Sequence, residues 1–356
     1  MDDRERNPAA IADGVAGCFS GLNLWSASPA AAVARPAKAP STQEADALIA
    51  KELNELSSQE RVRVQEQLHG VCELDVVEED PDIVEKRLSQ MEDELQRIRK
   101  KSAYERALFL SRSYVYDRDF RLMFLHANDF HPRLAAQRMV IFFELKLELF
   151  GIDKLVRRIM LDDLNEKDKD VIREGTICVL PKKDQAGRTV LCYYGGGNMF
   201  SQVRSYCVCS FGPLRTESGR KQIASPFFSP AKARAAFYLN MVALEDIQAQ
   251  RKGFVLVMYD FTFDMETLPK DVLKVLLQAG YFTKALPRKL SGIHFCSTIP
   301  GLLDPIISIV QLVFLSRDSR MRFRAHFGTQ MKLIWTRFHC ISISIRCCPQ
   351  YLIFSH

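Results

Sequence analysis

Arg251-Lys252-Gly253-Phe254-Val255-Leu256-Val257-Met258-Tyr259-Asp260 is the stretch whose reading decides the fold. A run of β-branched, aromatic and other apolar residues behind a glycine reads as a strand buried on both faces, the habit of a parallel sheet. Its neighbours fit that reading. Ser229–Gln250 has helical periodicity ahead of it, and Leu268–Ala279 follows as a second helix. Gly292–Cys296 is another strand, Leu302–Leu315 an apolar helix and Met321–His326 a closing strand. Upstream, Thr176–Leu180 and Thr189–Tyr194 read as a hairpin around the turn Asp184-Gln185-Ala186-Gly187, with Asp first and Gly last. Alternating apolar strands and amphipathic helices predict an α/β fold: a mixed, mostly parallel sheet covered by helices.

An all-α N-terminal subdomain is expected ahead of that sheet. Ser41-Thr42-Gln43-Glu44 and Ser57-Ser58-Gln59-Glu60 are capping boxes that open short amphipathic helices. Asp80-Pro81 opens a longer one, whose stripe of Val84, Leu88, Met91, Leu95 and Ile98 is a docking face or a coiled-coil seam. Pro132–Phe150, stopped by Gly151, is apolar around much of its surface and should be central to the helical part. The chain divides into an Ala/Pro-rich leader (1–40), amphipathic helices (41–113), a helical subdomain (114–165) and the sheet domain (166–328). Two stretches break the pattern. Residues 203–226 read as an insertion and 329–356 as a tail outside the fold, both as non-native segments of coding origin, because they lack the periodicity and nearly all the acidic residues of their neighbours.

Seven of the 49 basic residues and one of the 43 acidic residues lie in Arg317–His356, so the whole net charge of +6 sits at that end. The start, Met1–Arg6, is charged with no apolar run behind it, which is not a secretory signal. Ile299–Leu315 is interrupted by Asp304 and Gln311 and is too short for a bilayer, which needs about 20 helical residues. Ten cysteines without a CxxC pair predict free thiols in a reducing compartment rather than a disulfide framework or zinc site. A cytoplasmic protein with peripheral membrane contact is the expected location.

Three ordered pieces resemble the CRAL-TRIO family of lipid-binding and lipid-transfer proteins. The first is Asp119-Phe120-Arg121-Leu122-Met123-Phe124-Leu125-His126-Ala127-Asn128-Asp129-Phe130, followed by the Ala135-Ala136 helix. The second is Leu180-Pro181-x-x-Asp184-x-x-Gly187-Arg188-x-Val190, in which Thr189 replaces the family's Pro. The third is the Lys252-Gly253 strand ending in Asp260, with Pro300 and an apolar helix after it. This resemblance implies a non-catalytic carrier of a phospholipid or other lipophile, of the phosphatidylinositol-transfer, retinaldehyde-binding or tocopherol-transfer type. It implies a pocket lined by Phe254, Leu256, Met258, His294, Cys296, Ile306, Ile307, Val310 and Phe314. Ser319 and Arg322 stand where the inositol-lipid branch has a head-group hydroxyl and cation, whereas His126, Asn128 and Arg288 depart from that branch.

Helix Leu302–Leu315 has two readings, a buried core helix and a gate that opens at a membrane. In the second, Arg317, Arg320, Arg322 and Arg324 meet anionic head groups. Alternation of the last three also fits one solvated face of an edge strand. Catalytic patterns are missing: Gly195-Gly196-Gly197 lacks dinucleotide-loop spacing, and neither a nucleophile elbow nor an HExxH pair occurs. His294 and His326 read as core or pocket-lining histidines, and Asp260 and Asp264 as solvated loop acids. The expected protein is not an enzyme, uses no cofactor or metal and binds no nucleic acid. A different class of function remains open: an interaction scaffold with a degenerate pocket that recruits a protein partner through the 41–113 helices.

Overall fold

The computed structural model describes residues 42–70, 79–194, 229–259, 280–297, 308, 311 and 317–327. The leader, the 203–226 insertion, the 329–356 tail, Gly195–Gly197, Asp260, Asp264, the predicted helix 268–279 and most of the predicted helix 302–315 lie outside the described residues. Helices α1 (Thr42–Asn54), α2 (Ser58–His69), α3 (Pro81–Arg97), α4 (Ser102–Leu110), α5 (Arg112–Val115), α6 (Arg118–Ala127), α7 (Pro132–Phe150) and α8 (Glu166–Arg173) come first. The hairpin β1 (Ile177–Val179) and β2 (Thr189–Tyr194) follows, then α9 (Pro230–Ala243), α10 (Ile247–Lys252) and β3 (Phe254–Tyr259). After these come β4 (Leu290–Ser297), α11 (Arg317–Met321) and β5 (Phe323–Phe327).

Among the described residues the sheet has the order β1-β2-β3-β4-β5. Strand β1 is antiparallel to β2, and every later neighbour is parallel. The fold is therefore α/β with a mostly parallel sheet. Residues Ser229–Gln250 form two helices rather than one: α9 ends at Ala243, and the Asp246 carboxylate caps α10 by accepting from the Gln248 N–H at 2.8 Å. The closing strand begins at Phe323, later than its periodicity suggests, because Arg317–Met321 is helical.

Local signals explain the helix ends. Ser57 and Glu60 form the reciprocal capping box of α2, which ends at Gly70 in left-handed geometry. Asp80 caps α3, with Pro81 at its first position. The α3 stripe of Val84, Leu88, Met91 and Leu95 is buried, and α3 packs along α7. One hydrophobic core then runs from α3 through α4, α6 and α7 to α9 and one face of the sheet. At its centre Phe124, Phe142 and Phe143 are fully buried and meet edge to face, with centroids 5.4 Å apart for Phe124–Phe142 and 5.6 Å for Phe142–Phe143. Each such ring removed from water contributes about 1.5–3 kcal/mol.

Candidate functional site

Successive side chains of a strand point to opposite faces, and in a parallel sheet registered residues share a face. The ladder sorts the candidate residues accordingly. Leu191 registers with Leu256 and Ile293, and Ile293 with Phe323; all four belong to the helix-packed core. Cys192 registers with Val257 and His294, and His294 with Arg324, on the opposite face. There Val190, Cys192, Val255, Val257 and Cys296 form a separate buried apolar patch.

The predicted pocket residues are thus divided between the two faces. Phe254, Leu256 and Met258 pack into or against the helical core, whereas His294 and Cys296 lie on the other face. No single pocket can be lined by both sets, because the sheet itself lies between them. Ile306, Ile307, Val310 and Phe314 are outside the described residues.

The opposite face has a polar border at β4 and β5. His294 is buried, and its Nδ1 lies 3.0 Å from Nε2 of His326, with the rings stacked at a 21° angle. Arg324, beside His294 in the ladder, is half-buried, and this burial lowers its guanidinium pKa from the usual arginine value. It donates to the Phe323 carbonyl at 2.8 Å, and among the described residues no carboxylate pairs with it. Helix α2 approaches this face as well: a Cβ placed on Gly292 would stand 3.8 Å from the Leu68 carbonyl.

The predicted head-group residues flank the same edge. Ser319 sits in α11, and the Arg322 carbonyl accepts from the Ile293 N–H at 2.9 Å. The neighbouring cations are used differently from the expectation that all four arginines meet lipid. Arg320 is buried in a two-pronged pair with Glu52 (Nε–Oε2 2.9 Å, Nη2–Oε1 2.8 Å), and Arg317 reaches Glu55 at 3.0 Å. Glu52 in α1 and Glu55 in the turn just after it meet Arg320 and Arg317 of α11, so both pairs close on one seam. The solvated-face alternative fails for Arg320 too, since it lies in a helix and is buried.

Positions that depart from the inositol-lipid pattern also have internal partners. His126 is held between Glu79 (Nε2–Oε1, 2.9 Å) and Gln250 (Nδ1–Oε1, 2.9 Å). Because Gln250 spends its NH₂ on the Leu244 carbonyl at 2.7 Å, its oxygen is the acceptor and His126 Nδ1 the donor. Asn128 donates to the Phe124 carbonyl at 2.7 Å, and buried Arg288 to the Asn240 side-chain oxygen at 2.6 Å. A cleft of about 590 Å³ opens elsewhere, between α3 and the start of α7, lined by charged residues such as Arg87, Asp93 and Arg133. Among the described residues no three His, Cys, Asp or Glu side chains gather to hold a metal, and no helix is long and apolar enough to cross a membrane.

No protein-family model matches this sequence, and no curated protein is significantly similar to it.

Two juxtapositions were not read from the sequence. The His294–His326 pair and the facing thiols of Cys178 and Cys192 both arise from strand register. Alternation alone leaves register open, and a slip of one residue would send one member of each pair to the other face.

Proposed function

We propose that the chain is a non-catalytic carrier of a hydrophobic ligand, a phospholipid or other lipophile, on a CRAL-TRIO-like arrangement of sheet and helices. One observation carries this reading. The sheet face turned away from the helical core holds an apolar patch of Val190, Cys192, Val255, Val257 and Cys296 with a cationic and imidazole border at His294, Arg324 and His326. Such a floor suits a molecule with an apolar body and a polar end. The ligand-facing side of β3 is then Val255 and Val257, with Phe254 and Leu256 serving the core behind it.

The energetics favour a long-chain ligand. Each methylene removed from water gains ~0.8 kcal/mol, so a 16-carbon chain gains on the order of 10 kcal/mol. Head-group contact at Ser319 and Arg322, transient contact with an anionic membrane surface and a cytoplasmic working place belong to the same proposal. Native mass spectrometry of protein purified from several hosts, and after incubation with phospholipid vesicles, tests it. Co-purifying lipid mass is expected; a clean apo mass under every condition overturns the reading.

A second reading, an interaction scaffold, is favoured by the exposed end of α4. Phe109 is 91% exposed and Leu110 46% exposed, side by side. Under this reading Phe109→Ser abolishes capture of a protein partner while leaving the melting temperature unchanged.

A further inference from the structure

The two facing thiols of the β1–β2 hairpin are a chemical site that the ligand reading does not use. Cys178 and Cys192 are direct partners in the antiparallel ladder, and both are reduced. The Leu180 N–H bonds the Val190 carbonyl at 2.9 Å, which makes Leu180 and Val190 a hydrogen-bonded pair. Two residues along each strand, Cys178 and Cys192 occupy a site of the same type. Cα atoms at such a site are about 5.5 Å apart, inside the roughly 4.4–6.8 Å range that a disulfide spans.

Both side chains lie on the face of the Val190–Val257 patch, and a hydrogen bond joins the two sulfurs. That bond holds the Cys178 thiol below its ordinary pKa, while the bond and burial push Cys192 well above. Exposure follows the same order: Cys178 is half-buried on β1, which among the described residues has one ladder neighbour, and Cys192 opposite it is buried. The remaining described thiol, Cys296, lies on β4, two strand spacings from β2. Two spacings amount to about 10 Å, beyond the ~7 Å Cα limit for bridging.

We propose that Cys178 and Cys192 form a dithiol site that a low-molecular-weight disulfide converts to a cross-strand disulfide, with Cys178 as entry thiol and Cys192 as resolving thiol. The Cys178 thiolate attacks one sulfur of the small disulfide RSSR and displaces RS⁻, leaving a mixed disulfide on Cys178. The Cys192 thiolate then attacks the Cys178 sulfur and displaces the second RS⁻. Two protein thiols are oxidised, one small disulfide is reduced to two thiols, and the two protons released by the cysteines are taken up by the two RS⁻ groups. The product fastens β1 to β2 beneath the apolar patch, so the oxidation state of the pair sets how firmly that edge of the sheet is held.

Peptide mapping of the full chain after equilibration in glutathione buffers of graded oxidised fraction tests the site. A peptide linking Cys178 to Cys192 should appear and rise with the oxidised fraction, with loss of two alkylatable thiols. Cys192→Ser should lose the linked peptide and accumulate glutathione on Cys178. Cys178→Ser should show neither the link nor glutathione on Cys192. Linkage spread indiscriminately over the ten cysteines of the chain, or glutathione persisting on Cys178 of the wild type, overturns the proposal. A Cys192→Val variant, which keeps an apolar group in the patch, must reproduce the Cys192→Ser result; failure to do so also overturns it. The outcome is independent of lipid loading, so it stands or falls apart from the carrier reading.

Discussion

Asp184 and Arg188, four residues apart in the turn between β1 and β2, form an ion pair enclosed by the fold. Arg188 Nε lies 2.7 Å from Asp184 Oδ2, and the Arg188 N–H donates to Asp184 Oδ1 at 2.8 Å. Their side chains are 0% and 4% exposed. Gly70, the left-handed cap of α2, closes over the guanidinium: a Cβ there would approach Arg188 Nη2 to 2.7 Å. The turn, the end of α2 and β4, whose Ser291 carbonyl is 3.5 Å from Arg188 Nη1, are tied at one point.

Removing the Asp184 charge takes from the buried Arg188 guanidinium the carboxylate that accepts its Nε–H, and breaking a buried pair in this way costs about 3–5 kcal/mol. Asp184→Asn is therefore expected to lower unfolding free energy by that order. The double variant Asp184→Leu/Arg188→Met should recover a large part of it, because neither charge is then stranded. Urea denaturation of the two proteins checks this, and equal losses in single and double variants would contradict it.

Gly253 joins α10 to β3 with φ of +85°, and an added Cβ would collide with Ser291 Oγ and stand 2.9 Å from the Lys289 carbonyl. The second contact is backbone, so it cannot be relieved by a rotamer change. Backbone with positive φ and ψ near 180°, as at this position, is essentially confined to glycine and costs an L-residue about 1–3 kcal/mol before any clash. Gly253→Ala should lose more than that in a thermal melt, whereas Gly151→Ala, with φ of +76° but no atom within 4 Å, should lose only the backbone part.

The seam between α1 and α11 gives a third expectation. Glu52 and Arg320 have side chains 10% and 9% exposed and lie 268 residues apart in the chain. Arg320→Leu strands Glu52 and should destabilise by about 3–5 kcal/mol. Arg317→Leu, whose partner Glu55 is 48% exposed, should change stability by less than about 1 kcal/mol. Comparable losses at both positions would remove the distinction between a buried tether and a surface pair.

These relationships show what the sequence could and could not disclose. The β3 run, the Asp184–Gly187 turn, the Ser57 capping box and the Asp80-Pro81 start each carry their signal within a few residues, and each element forms where its signal lies. Strand faces do not work that way. Phe254 and Val255 are both fully buried, so composition cannot say which meets the helices and which the opposite patch. Only pairing with β2 and β4 decides it. The same holds for Arg320, which reads as one of a row of solvated cations until the distant α1 brings Glu52 to it.

Lys146 gives a prediction in pH. It lies in α7 and is buried, with Nζ 2.9 Å from the Tyr114 hydroxyl and 2.6 Å from the Arg157 carbonyl. Burial, aided by the Arg157 charge, pulls its pKa down to about 7. In the unfolded chain a lysine titrates near 10.4. Below about pH 7 both states hold the proton, so the cost of the buried charge is fully present and this group gives stability no pH dependence. Between about 7 and 10 the unfolded state binds a proton that the folded state does not, so this group's contribution to stability rises with pH. Complete release on folding corresponds to a slope of about 1.4 kcal/mol per pH unit, or roughly 2 kcal/mol between pH 7 and 9 with the half-titrated start included. Tyrosines and thiols titrate in the same window, so the measurable quantity is the difference between wild type and Lys146→Met. Chemical denaturation at roughly pH 6, 7, 8 and 9 should give a wild-type-minus-variant difference that is nearly flat below neutrality and climbs above it. A difference that stays level to pH 9 would mean that the folded protein keeps Lys146 charged, held by the Tyr114 and Arg157 oxygens despite burial.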